Sequence, residues 1–312
     1  MPEVQSAATV LMVRPACFGF NSQTAKSNAF QHADGDSLRH SGAQQAKALQ
    51  EFDGVTAALR AAGVKVLIAA DTPWPAKPDA IFPNNWVSFH HDGTVALYPM
   101  LAANRRLERS EDILRQVVRE GGFHISRTVD FTHHELEGKY LEGTGSLVLD
   151  RVHRVAYACS SPRTDLGVLG DFAQQLDYEL VNFDALDGGG RPIYHTNVLM
   201  AVASSFAIVC GESITQPSHR AAVFARLQHS GHEILDISRE QMLKFAGNAL
   251  ELAPAGGRIL VLSSTALGSL APAQRQQLER HAKLVCVEIP HIETVGGGGV
   301  RCMLAEIHLP KS

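Results

Sequence analysis

Apolar and polar residues alternate along this chain in a pattern that repeats a unit of two short strands, a helix and a third strand. In the clearest copy, apolar residues alternate from Asn85 on both sides of Asp92-Gly93, a dipeptide that favours a hairpin turn. Apolar residues on one helical face follow over 105–120, and a strand is predicted at 123–126. The unit is therefore a hairpin, a helix and a strand.

The same order returns three more times, and a fifth copy is divided between the two ends of the chain. The predicted hairpins, helices and strands are 145–158, 162–176 and 179–181; 197–210, 217–228 and 233–235; and 248–262, 272–283 and 284–287. The fifth copy joins a strand that begins at Cys302 to an N-terminal strand at 8–15, a helix through 44–59 and a strand at 64–68. Repeats of this length are typical of ring or solenoid arrays. We therefore predict one α/β domain over residues 1–312, with residues 1–7 as a loose tail.

The residues that open the five hairpins are the first candidates for a functional site. They are 57, 55, 51 and 54 residues apart: Asn85, Glu142, Asn197, Asn248 and Cys302. In a closed ring, equivalent positions of each unit converge on one axis, so these side chains are expected to meet there. His195, two positions before Asn197, is expected to join them. Individually, such residues also serve ordinary structural roles, a turn for Asn248 or the end of an element for Glu142.

The glycines before Cys302 favour a chemical role for this thiol. Four consecutive glycines, Gly296 to Gly299, permit backbone conformations closed to other residues and clear side chains from whatever approaches. The alternative is that Cys302 is a small buried hydrophobe, as most free cysteines are. Because an apolar core gains nothing from four glycines, we favour a nucleophile at the start of a predicted strand.

Composition sets limits on the class of protein. The 312 residues are 45% hydrophobic and 19% charged, with a net charge of -4, as in ordinary globular proteins. No basic excess favours nucleic acid or an anionic membrane, and the apolar run at 198–210 is too short to span a bilayer. No signal peptide is visible, and five unpaired cysteines indicate a reducing compartment, so a cytoplasmic location is predicted.

Motifs for metals and cofactors are incomplete. His133-His134-Glu135 lacks the second histidine of a zinc helix, and no Cys-x-x-Cys occurs. The Gly296 to Gly299 run lacks the Lys-Ser/Thr of a phosphate-binding loop. We therefore predict no metal and no cofactor, and the sequence leaves open whether the protein is a monomer or a homo-oligomer.

Six stretches, in the right order across nearly the whole chain, resemble the pentein superfamily of guanidine-modifying enzymes, and most closely its citrulline-hydrolase branch. They are Met12-Val13-Arg14-Pro15, Phe82-Pro83-Asn84-Asn85-Trp86, Leu141-Glu142-Gly143-Thr144-Gly145-Ser146, Tyr194-His195-Thr196-Asn197-Val198, Phe245-Ala246-Gly247-Asn248-Ala249-Leu250 and Gly297-Gly298-Gly299-Val300-Arg301-Cys302. The resemblance implies a five-bladed, pseudo-fivefold α/β propeller with its active site in the central channel. It also implies Cys302 as nucleophile, His195 as general acid and base, and Glu142 as the carboxylate that binds substrate nitrogens and favours a charged imidazole. Asn248 and Arg14, within matching stretches, are candidates for substrate binding.

Two departures from the family pattern bear on the substrate. Family members that bind a cationic guanidinium do so with two aspartates, where this chain has Asn85 and Asn197. Asparagine both donates and accepts hydrogen bonds, which suits a neutral ureido group. Asp79, six residues before Asn85, is the one feature that could restore a negative charge.

These features predict a cysteine hydrolase that converts citrulline and water to ornithine, carbon dioxide and ammonia. Arginine deiminase and amidinotransferase are alternatives within the same superfamily. A non-catalytic binding protein, like the ribosome anti-association factor of this fold, is the alternative from another class. The complete set of Cys302, His195 and Glu142 favours an enzyme.

Overall fold

In the computed structural model, which describes residues 3–32 and 41–312, the strands form five sheets of one topology. The middle strand of each sheet pairs antiparallel with one neighbour and parallel with the other. The strands are β1 (Thr9–Arg14), β2 (Lys65–Ala70), β3 (Val87–Phe89), β4 (Thr94–Leu97), β5 (Arg127–Asp130), β6 (Val148–Asp150), β7 (Val155–Cys159), β8 (Glu179–Phe183), β9 (Met200–Val202), β10 (Phe206–Val209), β11 (Glu233–Asp236), β12 (Leu250–Leu252), β13 (Ile259–Ser263), β14 (Lys283–Val287) and β15 (Ala305–Glu306).

The first sheet joins the two ends of the chain. In it, β1 pairs antiparallel with β15 and parallel with β2. The other four sheets are each consecutive in sequence: β3 to β5, β6 to β8, β9 to β11, and β12 to β14. Each sheet contacts the next around a ring, and the prediction of a five-unit α/β propeller is confirmed.

Helices connect the strands, and the longer ones cover the outside of the ring. They are α1 (Ser41–Ala61), α2 (Glu111–Gly121), α3 (Gly143–Ser146), α4 (Leu166–Leu176), α5 (Thr196–Leu199), α6 (Pro217–His229), α7 (Arg239–Leu243), α8 (Ser264–Ser269) and α9 (Pro272–Glu279). Their apolar faces are buried against the sheets, as for Phe52, Val55 and Leu59 of α1, none of which is exposed. Among the described helices, none has the length and apolar character needed to cross a bilayer.

Two predicted helices begin later than the sequence pattern indicates. Instead of one helix over 105–120, a 3₁₀ segment (Ala103–Glu108) precedes α2, whose N-cap is Ser110, with its side chain accepting from the Ile113 N–H. Instead of starting at residue 162, α4 starts after Asp165, whose carboxylate accepts from the Gly167 and Val168 N–H groups. Capping side chains define these starts, and the residues before them are free to turn inward.

The structure corrects two predicted strands. The third strand of the sheet that contains β3 and β4 is β5, not 123–126. Phe123 and Ile125 pack against the core from an irregular segment, which gives the same alternating apolar pattern as a strand. The strand predicted to begin at Cys302 is shorter: Cys302 lies in a 3₁₀ turn (Val300–Met303), followed by the two-residue β15. The other candidate residues also precede their strands, on short turns at the end of each hairpin nearest the axis.

The prediction of a loose N-terminal tail is wrong for the described residues 3–7. The Gln5 amide donates to the carbonyls of Leu149 (2.8 Å) and Val202 (3.0 Å), which belong to different sheets. Glu3 pairs with Arg154 at 2.8 Å. Because these polar contacts satisfy buried groups of neighbouring blades, the segment is part of the ring. Met1 and Pro2 lie outside the described residues.

Candidate active site

The Cys302 thiol is buried, with only 3% of the residue exposed, and two asparagine amides face it. Its Sγ lies 3.4 Å from Asn248 Nδ2 and 3.6 Å from Asn197 Nδ2. Both amide orientations are set by other bonds: Asn248 Oδ1 accepts from the Arg301 N–H, and Asn197 Nδ2 also donates to the Thr144 carbonyl. Two N–H donors are thus positioned to stabilise negative charge on the sulfur.

The glycine run permits a close crossing of chains beside the thiol. Gly297 has φ 66°, in the left-handed region, and a Cβ there would lie 2.6 Å from Asn28 Nδ2. Its carbonyl accepts from Tyr194 Oη at 2.7 Å and from Asn28 Nδ2 at 3.1 Å. Only glycine combines this conformation with this contact, so the run is needed to bring the N-terminal loop over the cavity.

His195 and Glu142 form a buried pair beneath the same cavity. His195 Nε2 lies 2.8 Å from Glu142 Oε2, and Arg163 Nη1 donates to the same oxygen at 3.2 Å. The other carboxylate oxygen accepts from the Leu101 N–H at 3.1 Å. Burial opposes ionisation of Glu142, but the Arg163 charge and the His195 hydrogen bond outweigh it and hold the pKa of this carboxyl well below its usual range.

Burial favours the neutral forms of both the imidazole and the thiol. Burial, reinforced by the charges of Arg163 and Arg105, lowers the pKa of His195 to about 4, although Glu142 opposes the shift. Burial likewise raises the pKa of Cys302, against the hydrogen bond from Asn248. Glu142 raises the pKa of His195, in the direction expected from the sequence, but desolvation is the larger effect.

We expect His195 to make the folded protein less stable in acid. Between pH 6.5, the ordinary value for histidine, and about 4, the unfolded chain binds a proton that folded His195 does not, so the free energy of unfolding falls as the pH falls. In His195→Gln this slope should be smaller, by up to about 1.4 kcal/mol per pH unit. Urea unfolding of both proteins at pH 4.5, 5.5 and 6.5 measures it. Equal slopes would mean that His195 titrates normally.

Asn85 is held with its amide nitrogen facing the cavity. Its Oδ1 accepts from Arg105 Nη1 at 2.8 Å, which sets the amide orientation, and Nδ2 is buried without a partner. Arg105 is itself fixed by a bidentate pair with Glu108, at 2.9 Å for both contacts. A buried donor without an acceptor is costly, so Asn85 Nδ2 is available to an acceptor from outside the chain.

Asp79 also faces the cavity. Its Oδ2 accepts from Asn21 Nδ2 at 2.8 Å and Thr24 Oγ1 at 3.2 Å and lies 3.7 Å from Arg105 Nε, whereas Oδ1 is buried without a partner. Burial raises the pKa of this carboxyl, although Arg105 opposes the shift. The Asp79 carboxyl group, whose position the sequence could not predict, therefore lies in the site, next to the N-terminal loop that contains Asn21 and Thr24.

The structure brings together seven of the eight residues predicted for the site. A small cavity is lined by Thr24, Asn28, Asp79, Phe82, Asn85, Arg105, Arg163, Tyr194, His195, Gly296, Gly297, Gly298 and Cys302. Glu142, Asn197 and Asn248 contact these residues from behind. Arg14 is the exception and does not line the cavity: its guanidinium is paired with Asp53 at 3.1 Å, over Phe52 of α1. Its prediction as a substrate-binding residue is corrected.

Two arginines in the cavity were not predicted from the sequence. Arg105 precedes α2 and Arg163 precedes α4, in segments that the apolar pattern assigns to the helices. The missed signals are the N-caps, Ser110 and Asp165, which begin the helices a few residues after each arginine. With those caps taken into account, both arginines fall before the helices, Arg105 in a 3₁₀ segment and Arg163 in a turn.

Substitution of Gly145 is expected to impair activity more than stability. A Cβ at this position would lie 2.4 Å from Asn85 Nδ2 and 2.8 Å from the His195 ring. In Gly145→Ala these groups must shift, and we expect kcat/KM to fall by about 10²-fold while the protein still folds. Gly170→Ala is the control, because nothing lies within 4 Å of its added Cβ in α4. Retained activity in Gly145→Ala would contradict the tight packing between Asn85 and His195.

Comparison with known proteins agrees with this architecture. The model of a family described as N,N-dimethylarginine dimethylhydrolase, eukaryotic, matches residues 14–309. No curated protein sequence matches the chain.

Several solved structures share the fold at low sequence identity. ArgZ, an arginine dihydrolase from the ornithine-ammonia cycle in cyanobacteria, superposes with a TM-score of 0.74 at 17% identity, covering 97% of this chain and 41% of ArgZ. Its N-terminal domain bound to product gives a TM-score of 0.70 at 17% identity and covers 97% and 99% of the two chains. A dimethylarginine dimethylaminohydrolase variant carrying an S-methyl-L-thiocitrulline adduct gives 0.65 at 17% identity, covering 96% and 100%. The present chain thus spans about two fifths of full-length ArgZ.

Proposed function

The chain belongs to the N,N-dimethylarginine dimethylhydrolase family of the pentein superfamily, and from this premise we propose that it is a cysteine hydrolase of the ureido group of citrulline. Cys302 is the nucleophile, His195 the general acid and base, and Glu142 the carboxylate that orients His195. Asn85, Asn197 and Asn248 bind the reacting group. The products are ornithine, carbon dioxide and ammonia.

The unpartnered amide nitrogen of Asn85 is the observation that carries this assignment. With Oδ1 occupied by Arg105, Asn85 presents only N–H donors to the cavity. A ureido group has a carbonyl oxygen that accepts these hydrogen bonds, whereas a guanidinium has donors only and would leave donor facing donor.

The reaction can be followed group by group. Neutral His195 takes the proton of the Cys302 thiol, and the thiolate, facing the amides of Asn197 and Asn248, attacks the ureido carbon. The imidazolium, stabilised by Glu142, protonates the departing nitrogen, and ammonia leaves a thiocarbamate between Cys302 and the δ-nitrogen of ornithine. His195 then activates water, which releases the thiol and an N-carboxylate that loses carbon dioxide to give ornithine.

The opposite charges in the cavity suit the two ends of a free amino acid. Asp79 has an oxygen without a partner on the N-terminal side of the cavity, and we assign the α-ammonium to it. Arg163 lines the same cavity and is a candidate for the α-carboxylate. An acyl group on the α-amine would remove the charge that Asp79 needs, so a substrate with a free amine is favoured.

Arginine deiminase is the second candidate, and Asp79 is the observation in its favour. A buried carboxylate with one free oxygen can also pair with a guanidinium. In that case the ligand would approach Asp79 with its reacting end, and Asn85 Nδ2 would keep no partner.

Ammonia release from four substrates distinguishes these assignments. Purified protein is assayed with citrulline, Nα-acetylcitrulline, arginine and agmatine under the same conditions. We expect citrulline to give the highest kcat/KM, and ornithine to appear in equal amount to ammonia. Faster turnover of arginine would overturn the ureido assignment in favour of the deiminase, and faster turnover of acetylcitrulline would overturn the role given to Asp79.

A further inference from the structure

We propose that His133, His134 and Asp171 form a surface site for a divalent transition metal such as Zn²⁺, separate from the channel. One ligand atom from each of the three residues lies within 4.8 Å of the others, and this is the one such group found in residues 3–32 and 41–312. The two histidines belong to the incomplete zinc motif His133-His134-Glu135. The third ligand comes from α4, 37 residues after His134, where no local motif could indicate it.

The spacing of His134 and Asp171 is close to that of a metal site. His134 Nε2 lies 3.0 Å from Asp171 Oδ2. Zinc binds nitrogen and oxygen at about 2.0–2.1 Å in tetrahedral geometry, which puts two ligand atoms about 3.3 Å apart. The distance between His134 Nε2 and Asp171 Oδ2 therefore needs to increase by only a few tenths of an ångström for a metal to replace the proton between them.

His133 is prepared to bind through its other nitrogen. Its Nδ1 lies 3.1 Å from the Asp130 carbonyl oxygen, and because a carbonyl can only accept, Nδ1 carries the proton and Nε2 keeps its lone pair. A carbonyl partner for the second ring nitrogen is the usual support of a metal-binding histidine. The His133 and His134 rings are adjacent, with centroids 4.1 Å apart, and His133 is exposed to solvent, from which a metal would bind.

The site joins the 3₁₀ segment Thr132–Glu137 to α4. This segment leads through Gly138, in the left-handed region with φ 68°, to Glu142 four residues later. Glu135 anchors the segment inward, to Arg109 and the Met100 N–H, and the metal would anchor it outward. Metal binding is expected to stabilise the protein, since a ligand that binds only the folded state raises the free energy of unfolding.

Titration with Zn²⁺ alone tests the site. Tag-free wild type is titrated calorimetrically and its thermal unfolding is recorded with and without Zn²⁺. The variants are His133→Ala, Asp171→Asn and, as a matched control, His229→Ala at an exposed position of α6. We expect one Zn²⁺ per chain and a higher melting temperature in wild type and in His229→Ala. In the two site variants, we expect affinity at least about tenfold weaker and no zinc-dependent rise in melting temperature.

Two controls keep the result specific. Cys302→Ala is titrated in parallel, and unchanged zinc binding there excludes the catalytic thiol as the ligand. Circular dichroism without metal confirms that the site variants are folded. Absence of zinc binding in wild type, or equal binding in wild type and His133→Ala, would overturn the proposal.

Discussion

Cys302→Ala is expected to abolish turnover of citrulline, with kcat lower by about 10⁴-fold or more, while the protein remains folded. The Cys302 thiol is the one cysteine side chain among the residues that line the cavity, and it is the proposed site of the covalent intermediate. His195→Ala should lower kcat by about 10²–10⁴-fold, since it removes proton transfer in both half-reactions. Ammonia release under saturating citrulline measures both effects.

The combination of these variants is more informative than either alone. If Cys302 and His195 act as one unit, the double variant should be hardly slower than Cys302→Ala, because the second substitution removes a group with no remaining task. Cys286→Ala is the matched control, a cysteine exposed on β14 and expected to retain full activity. A Cys302→Ala protein with a tenth of wild-type activity would remove the thiol from the mechanism.

Asn85→Asp is expected to shift the preference of the enzyme from citrulline toward arginine. The carboxylate keeps the contact with Arg105 through one oxygen and presents the other to the cavity where Nδ2 now lies. Opposite a ureido oxygen, two acceptors then face each other, at a cost of about 1–3 kcal/mol, whereas a guanidinium gains a charge-assisted hydrogen bond. The ratio of kcat/KM for citrulline over arginine should therefore fall by about 5- to 150-fold.

Asn197→Asp separates selectivity from thiol activation. Its Nδ2 donates to the Thr144 carbonyl and faces Cys302 Sγ, so a carboxylate would oppose both the carbonyl and the thiolate. We expect slower turnover of both substrates, with a smaller change in their kcat/KM ratio than in Asn85→Asp.

If Asn85 only stabilises its turn, Asn85→Asp will lower the free energy of unfolding and leave the ratio of kcat/KM for citrulline over arginine unchanged.

The repeat made most of the fold predictable. Five copies of one apolar pattern specify five sheets, and equivalent positions in a ring must converge, so Asn85, Glu142, Asn197, Asn248 and Cys302 could be placed together before any coordinates. Element ends were less accurate, because burial of Phe123 and Ile125 in an irregular segment gives the same pattern as a strand.

The charged part of the site was harder to predict. Charged residues beside an apolar periodicity usually lie on the solvent face of a helix, and the predicted helices 105–120 and 162–176 include Arg105 and Arg163. Nor could the sequence give the electrostatic state of His195, which depends on burial in competition with Glu142 and two arginines that only the tertiary structure brings near. Arg14 shows the opposite error, since membership of a matching stretch does not place a side chain in the channel.

The pairing of β1 with β15 determines when this protein can become active during its synthesis. Leu11 pairs with Ala305 and Val10 with Glu306, so the antiparallel edge of β1 has no partner until the ribosome has released nearly 300 further residues. During that interval the other four sheets can form from neighbouring segments. The first sheet keeps an unpaired strand edge, which favours chaperone binding. Cys302 emerges just before β15 and reaches Asn197 and Asn248 only as the ring closes. Until residues 302–306 have been synthesised, the proposed thiol site therefore cannot assemble.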